Sequence, residues 1–107
     1  MQYGLKETDV NKIVSVFSFY PEVETAILYG SRAKGNFQTY SDIDVALIGD
    51  KIDLSIKGKI EDDLDDLLLP YKMDIKAIKY ISNTDLVDHI NRVGKVIYKN
   101  KLPIGNS

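Results

Sequence analysis

The sequence predicts an α/β (α+β) domain, a mixed sheet of three to four strands flanked by helices. Three observations lead there. Apolar runs of strand length recur, Ala26-Ile27-Leu28-Tyr29, Val45-Ala46-Leu47-Ile48 and the mixed Lys72-Met73-Asp74-Ile75-Lys76-Ala77-Ile78. Longer stretches around them place apolar residues at helical spacing. The chain has 107 residues, 44% of them apolar, which is enough for one core and hardly for two. A single domain over 1–107 is expected, with a polar, flexible tail from about 99 to 107.

In chain order, a helix is expected over 8–20, where Val10, Ile13, Val14 and Phe17 fall on one face. Thr8 suits its N-cap, Asp9 its first turn, and Pro21 its end. The first strand spans 25–29 and is apolar on both faces, as a strand covered on both sides would be. Residues 30–35 turn sharply, with Gly30 permitting a backbone conformation closed to other residues. Ser31 opens a short helix whose N–H groups would face a phosphate. A polar turn follows from Asn36 to Ser41, then a second strand over 42–48.

A second long helix is expected over 54–69, with Ile56, Ile60, Leu64, Leu67 and Leu68 as its apolar stripe and Pro70 as its stop. Glu61, Asp62, Asp63, Asp65 and Asp66 read as its solvated outer face. The third strand covers 72–78. The last helix covers 83–93, with Leu86, Val87, Ile90 and Val93 inward, Asn83 as cap and Gly94 as end. Val96-Ile97-Tyr98 suits a short edge strand.

Composition excludes several function classes. The formal charge is −2, from 14 basic and 16 acidic residues, which argues against broad nucleic-acid binding. There are no cysteines, so disulfides and thiolate metal sites are ruled out. No apolar run approaches the roughly 20 residues of a membrane span. The N-terminus shows no signal-peptide apolar region, and an intracellular, cytoplasmic protein is expected.

The chemistry-bearing residues cluster between Gly30 and Asp44. Asp42 and Asp44 sit at alternate positions entering a strand, so both side chains point to one face. Adjacent carboxylates repel unless a cation lies between them, and hard oxygen donors suit Mg2+. Asp74, on the third strand, is placed to complete such a site, and the Gly30-Ser31 turn to receive a triphosphate. Two Mg2+ ions among Asp42, Asp44 and Asp74 would serve an in-line phosphoryl or nucleotidyl transfer. Tyr40 lies beside this stretch, with contact to a base and packing on the turn both open. His89, the sole histidine, falls on a polar helix face and is expected to be exposed and without a role.

This pattern resembles that of the minimal nucleotidyltransferases of the DNA polymerase beta-like superfamily. Their signature is Gly-Ser, ten residues, then Asp-x-Asp, with a third acid on a later strand. Here Gly30-Ser31 is followed by the ten residues Arg32 to Ser41 and then Asp42-Ile43-Asp44, with Asp74 as third acid. The resemblance covers nearly the whole chain and implies the small nucleotidyltransferase fold. It implies that Gly30 and Ser31 bind nucleotide phosphates, with Arg32 and Lys34 supporting the triphosphate. It implies that Asp42, Asp44 and Asp74 bind Mg2+, that Asp74 helps deprotonate the acceptor hydroxyl, and that ATP is the substrate.

Many such proteins are similar in pairing with a helical HEPN RNase toxin, whose tyrosine they modify with AMP as type VII antitoxins. The resemblance implies that partner, in a hetero-oligomer, for this chain. A non-catalytic nucleotide-binding subunit that neutralises a helical partner by complex formation is the alternative. Transfer to a small molecule or an RNA end ranks third.

Overall fold

The computed structural model describes residues 2–100. Its elements are α1 (Glu7–Ser18), β1 (Thr25–Tyr29), α2 (Gly30–Lys34), β2 (Ile43–Ile48), α3 (Leu54–Asp65) and β3 (Met73–Ala77), then a 3₁₀ turn (Ile78–Tyr80), α4 (Thr84–Val93) and β4 (Lys95–Lys99). The strands form one sheet in the order β3-β2-β1-β4. β1 pairs antiparallel with both β2 and β4, whereas β2 and β3 run parallel. A parallel pair needs a long crossover, and α3 supplies it.

Strand alternation sorts the side chains into two layers. Ala26 and Leu28 of β1, Ile43, Val45 and Leu47 of β2, and Ile75 and Ala77 of β3 join Ile13, Val16 and Phe17 of α1 and Ile60 and Leu64 of α3 in the main core. On the opposite face, Tyr29 and Ala46 meet Ile90 of α4, with Ile27, Leu86 and Val93 around them. β1 and β2 are therefore covered on both sides, and the face under α4 is the one that carries the even-numbered residues of β2 and β3. No helix among the described residues is long and apolar enough to cross a membrane.

Several element ends differ from the sequence reading. α1 starts one residue before Thr8; its N-cap is Lys6, with no side-chain cap bond, and Thr8 sits inside the first turn. It stops at Ser18, not at 20. α3 stops at Asp65 because the chain tightens through Leu67 N–H to Leu64 O (3.1 Å) and Leu68 N–H to Asp65 O (3.1 Å), and Leu68 takes a left-handed φ of 55°. Leu68 consequently lies exposed, outside the stripe expected to include it. Asp53 caps α3 by accepting from Ile56 N–H at 2.8 Å. Asn83 caps α4 as expected, accepting from Asp85 and Leu86 N–H.

The acidic face of α3 is only partly solvated, since Glu61 pairs with Lys57 and Asp63 accepts from the Tyr20 hydroxyl. β4 is longer than expected and absorbs Lys99, and Asn100 N–H donates to Glu24 O at 2.8 Å, so the chain is ordered past the expected start of the tail. The remainder of that tail, 101–107, lies outside the described residues.

Candidate active site

The two halves of the motif meet at Gly30. Tyr29, the last residue of β1, is the register partner of Asp44 in β2. Gly30 follows with φ 75°, a conformation that side-chain-bearing residues rarely adopt. A Cβ built at Gly30 would collide with the Asp44 carboxylate. The glycine therefore does two things: it reverses the chain out of β1, and it leaves room for the Asp44 carboxylate against the turn. Ser31 lies half-buried beside it in α2, a single helical turn that Gly35 ends in the left-handed region with its N–H on Ser31 O at 2.9 Å.

Asp44 and Asp74 are register partners across the parallel β2–β3 pair, so both carboxylates stand on the face under α4. Asp42 precedes the first residue of β2, outside the strand that was expected to include it, and is exposed. Burial pushes the Asp44 carboxyl above its ordinary value of 3.8, and the charges of Asp74 and then Asp42 push the same way. Lys76 and His89 oppose them. Lys76, two residues along β3 on the same face, holds Asp74 with its ammonium 3.2 and 3.4 Å from the two carboxylate oxygens. Tyr29 is buried on this face, and burial first, then Asp44 and Asp74, raise its phenol well above the usual range, which keeps it neutral.

The oxygen donor set fits Mg2+ in kind. Its spacing is not that of a closed metal cage: among the described residues no three His, Cys, Asp or Glu side chains converge to hold a metal ion.

Arg32 departs from its expected role at the triphosphate. Its side chain is 1% exposed. The guanidinium donates to Ser41 O at 2.9 and 3.1 Å, to Tyr3 O at 2.9 Å and to Thr39 O at 3.2 Å, and it stacks near the rings of Phe37 and Tyr71. These contacts hold the loop that runs into Asp42. Lys34 is exposed at the end of α2. Tyr40 is 82% exposed and does not pack on the turn. His89 is half-buried, edge-on to Tyr29 with ring centroids 6.2 Å apart, and not the solvent residue its helix face suggested.

Spacing arguments missed Tyr29, Lys76 and the packing of His89. Lys76 had a readable signal, because a residue two positions from Asp74 in a strand shares its face.

Two outcomes follow from this geometry. Replacing Arg32 with Met strands the Tyr3, Thr39 and Ser41 carbonyls, and unfolding in urea should show a loss of about 2–4 kcal/mol, with the 36–41 loop opened to proteolysis. For Asp44 the folded carboxyl binds its proton more tightly than the unfolded one. Its contribution therefore favours folding below pH 3.8 and turns against it as pH rises through the raised value. At neutral pH Asp44→Asn should raise the melting temperature of the ligand-free protein by about a few degrees, measured by calorimetry beside wild type.

Known proteins share this fold. The profile of the family described as Polymerase beta, Nucleotidyltransferase matches residues 11–102. No curated protein sequence matches the chain. Among solved structures, a chain of a toxin–antitoxin complex with AMP-PNP superposes with a TM-score of 0.70 at 22% identity, covering 86% of this chain and 74% of that one. A chain from a tri-AMPylated Shewanella oneidensis HEPN toxin in complex with MNT antitoxin gives 0.67 at 19% identity, covering 91% and 75%. A putative nucleotidyltransferase from Sulfolobus solfataricus gives 0.51 at 13% identity, covering 94% and 91%. At these identities the structural likeness speaks for the fold, and the profile match over 11–102 speaks for descent: the chain belongs to the polymerase beta nucleotidyltransferase family.

Proposed function

We propose that this nucleotidyltransferase is a Mg2+-dependent protein adenylyltransferase. It moves AMP from ATP to a tyrosine of a HEPN-type helical toxin and acts as a cytoplasmic type VII antitoxin. The observation that carries the reading is the approach of Gly30 to Asp44, which places a side-chain-free turn directly against a carboxylate pushed toward protonation by its surroundings. That is a place for a phosphate and a cation together. The choice of acceptor draws on fold likeness to toxin–antitoxin structures, one holding AMP-PNP and one a tri-AMPylated HEPN toxin.

In this reading Gly30 and Ser31 cradle the β- and γ-phosphates. Asp42 and Asp44 hold Mg2+, with Asp74 completing the donor set. Bound there, the ions neutralise phosphate charge and ease ionisation of the attacking hydroxyl. The acceptor oxygen forms a bond to the α-phosphorus, the bond from that phosphorus to the bridging oxygen breaks, and diphosphate leaves. Asp74 takes the acceptor's proton on a carboxylate oxygen and passes it to water. The carboxylates and the turn do this by position and charge, without covalent catalysis by the protein. Arg32 contributes by fixing the approach to Asp42, not by touching phosphate. No direct nucleic-acid contact is part of this reading.

A second reading, a nucleotide-binding subunit that neutralises its partner by covering it, draws on the hold of Lys76 on Asp74, which leaves the third acid engaged.

Intact-mass measurement separates the two. With a co-expressed HEPN-type partner, ATP and Mg2+, wild type should add AMP units to the partner, and Asp42→Ala/Asp44→Ala should add none. Saturating Mg-ATP, near 100 times its Kd, should stabilise wild type by about 2.7 kcal/mol and the double variant hardly at all. A partner whose mass never changes, in a complex that still forms and still blocks the toxin, would establish the covering mode and remove the transferase reading.

A further inference from the structure

A cleft of about 390 Å³ opens beside Asp74 on the outer edge of β3. Asp74 and Lys76 line it together with Tyr80, Ile81 and Leu86, from the 3₁₀ turn and the start of α4, which supply apolar surface. Lys57 and Glu61 of α3 also line it. The cleft carries two cations and two anions, and they pair with each other: Lys57 with Glu61 at 3.0 Å and Lys76 with Asp74 at 3.2 Å.

The strand order gives this cleft a direction. Gly30 and Ser31 lie just past the end of β1, Asp44 is on β2, Asp74 is on β3, and β3 is the outermost strand. A phosphate tail held at Gly30-Ser31 therefore departs toward the β1 side. An in-line displacement needs its nucleophile on the opposite side of the phosphorus, which is the β3 side, where the cleft opens.

Resting on the adenylyl-transfer reading above, we propose that this cleft is the acceptor site, that it takes a tyrosyl side chain of a protein partner, and that Lys76 stabilises the charge developing on the acceptor oxygen. The apolar surface fits an aromatic ring. The paired lysines leave no net positive charge for a polynucleotide end, which would arrive with its own phosphates. Lys76 bridges both oxygens of the carboxylate that receives the proton. The same ammonium favours negative charge developing on the acceptor oxygen as it attacks the α-phosphorus and its proton moves to Asp74. A phenol ionises near pH 10, far more readily than an alkyl hydroxyl, so a tyrosyl acceptor gives up its proton with the least help.

Steady-state AMP transfer to the HEPN-type partner tests this with Tyr80→Glu, Lys76→Met and Lys76→Arg, each also titrated with Mg-ATP alone. Tyr80 is 50% exposed, so its replacement leaves the fold intact. Tyr80→Glu should raise the KM for the partner about tenfold while the Kd for Mg-ATP stays within about twofold. Lys76→Met should lower kcat by roughly 10–100-fold at unchanged Mg-ATP affinity, and Lys76→Arg should recover most of it. A Tyr80→Glu enzyme with the wild-type partner KM, a Lys76→Met enzyme with wild-type kcat, or loss of Mg-ATP affinity in step with transfer overturns the cleft assignment and leaves the transferase reading standing. A wild-type enzyme that binds Mg-ATP and modifies nothing overturns the transferase reading itself, and the cleft with it.

Discussion

One buried cation ties the site to the rest of the molecule. Arg32 is the one charged or polar residue in the buried set of the described chain, and it answers to no carboxylate. A buried charge is tolerable only when hydrogen-bonded, and here backbone carbonyls do that work, with two aromatic faces closing over the guanidinium. The carbonyls come from Tyr3 before α1 and from Thr39 and Ser41 before β2, and the rings from Phe37 and from Tyr71 ahead of β3. Segments far apart in the chain thus converge on one side chain. The Ser41 carbonyl belongs to the peptide that leads into Asp42, so the path of the chain into the carboxylate pair is set by a group that need not meet substrate at all.

Around that anchor the sheet does the rest by parity. Tyr29, Asp44, Asp74 and Lys76 share the face under α4 because strand residues alternate and because β2 and β3 are in register at Asp44 and Asp74. The apolar side of the same strands is sealed against α1 and α3. A slip of one residue in β2 would send its carboxylate into the core. The half-buried Asp44 works against folding at neutral pH, and the sealed face on the other side offsets it. Strain of this kind is common where groups are arranged for chemistry instead of for stability.

How far the sequence could be read depended on the kind of signal. The four strands were legible, because strand periodicity is local, but the start of β2 was not, and Asp42 stands outside the strand that was to set its face. The role of Arg32 was not: a cation beside a phosphate-type turn looks like a phosphate ligand, and nothing local says that Tyr3, Phe37 and Tyr71 enclose it. Leu68 fell on the helical stripe of α3, but the chain had already left the helix with a left-handed residue. His89 looked solvent-facing because its helix is polar there, yet that face looks back at Tyr29 across α4 and β1. For Arg32 and His89 a contact between distant segments overrode a pattern drawn from neighbours, and for Leu68 the local turn did.

The pairing of β4 with β1 has a consequence for biosynthesis. Thr25 is paired with Lys99, so the strand that delivers Gly30 to the site acquires its second neighbour from almost the last described residues of the chain. During synthesis β1 can pair with β2 early, but its other edge stays bare until residues 95–99 emerge. Such long-range pairing is slow to form, and an unpaired edge invites association with other chains. Until those residues emerge, β1 presents an unpaired edge to other chains.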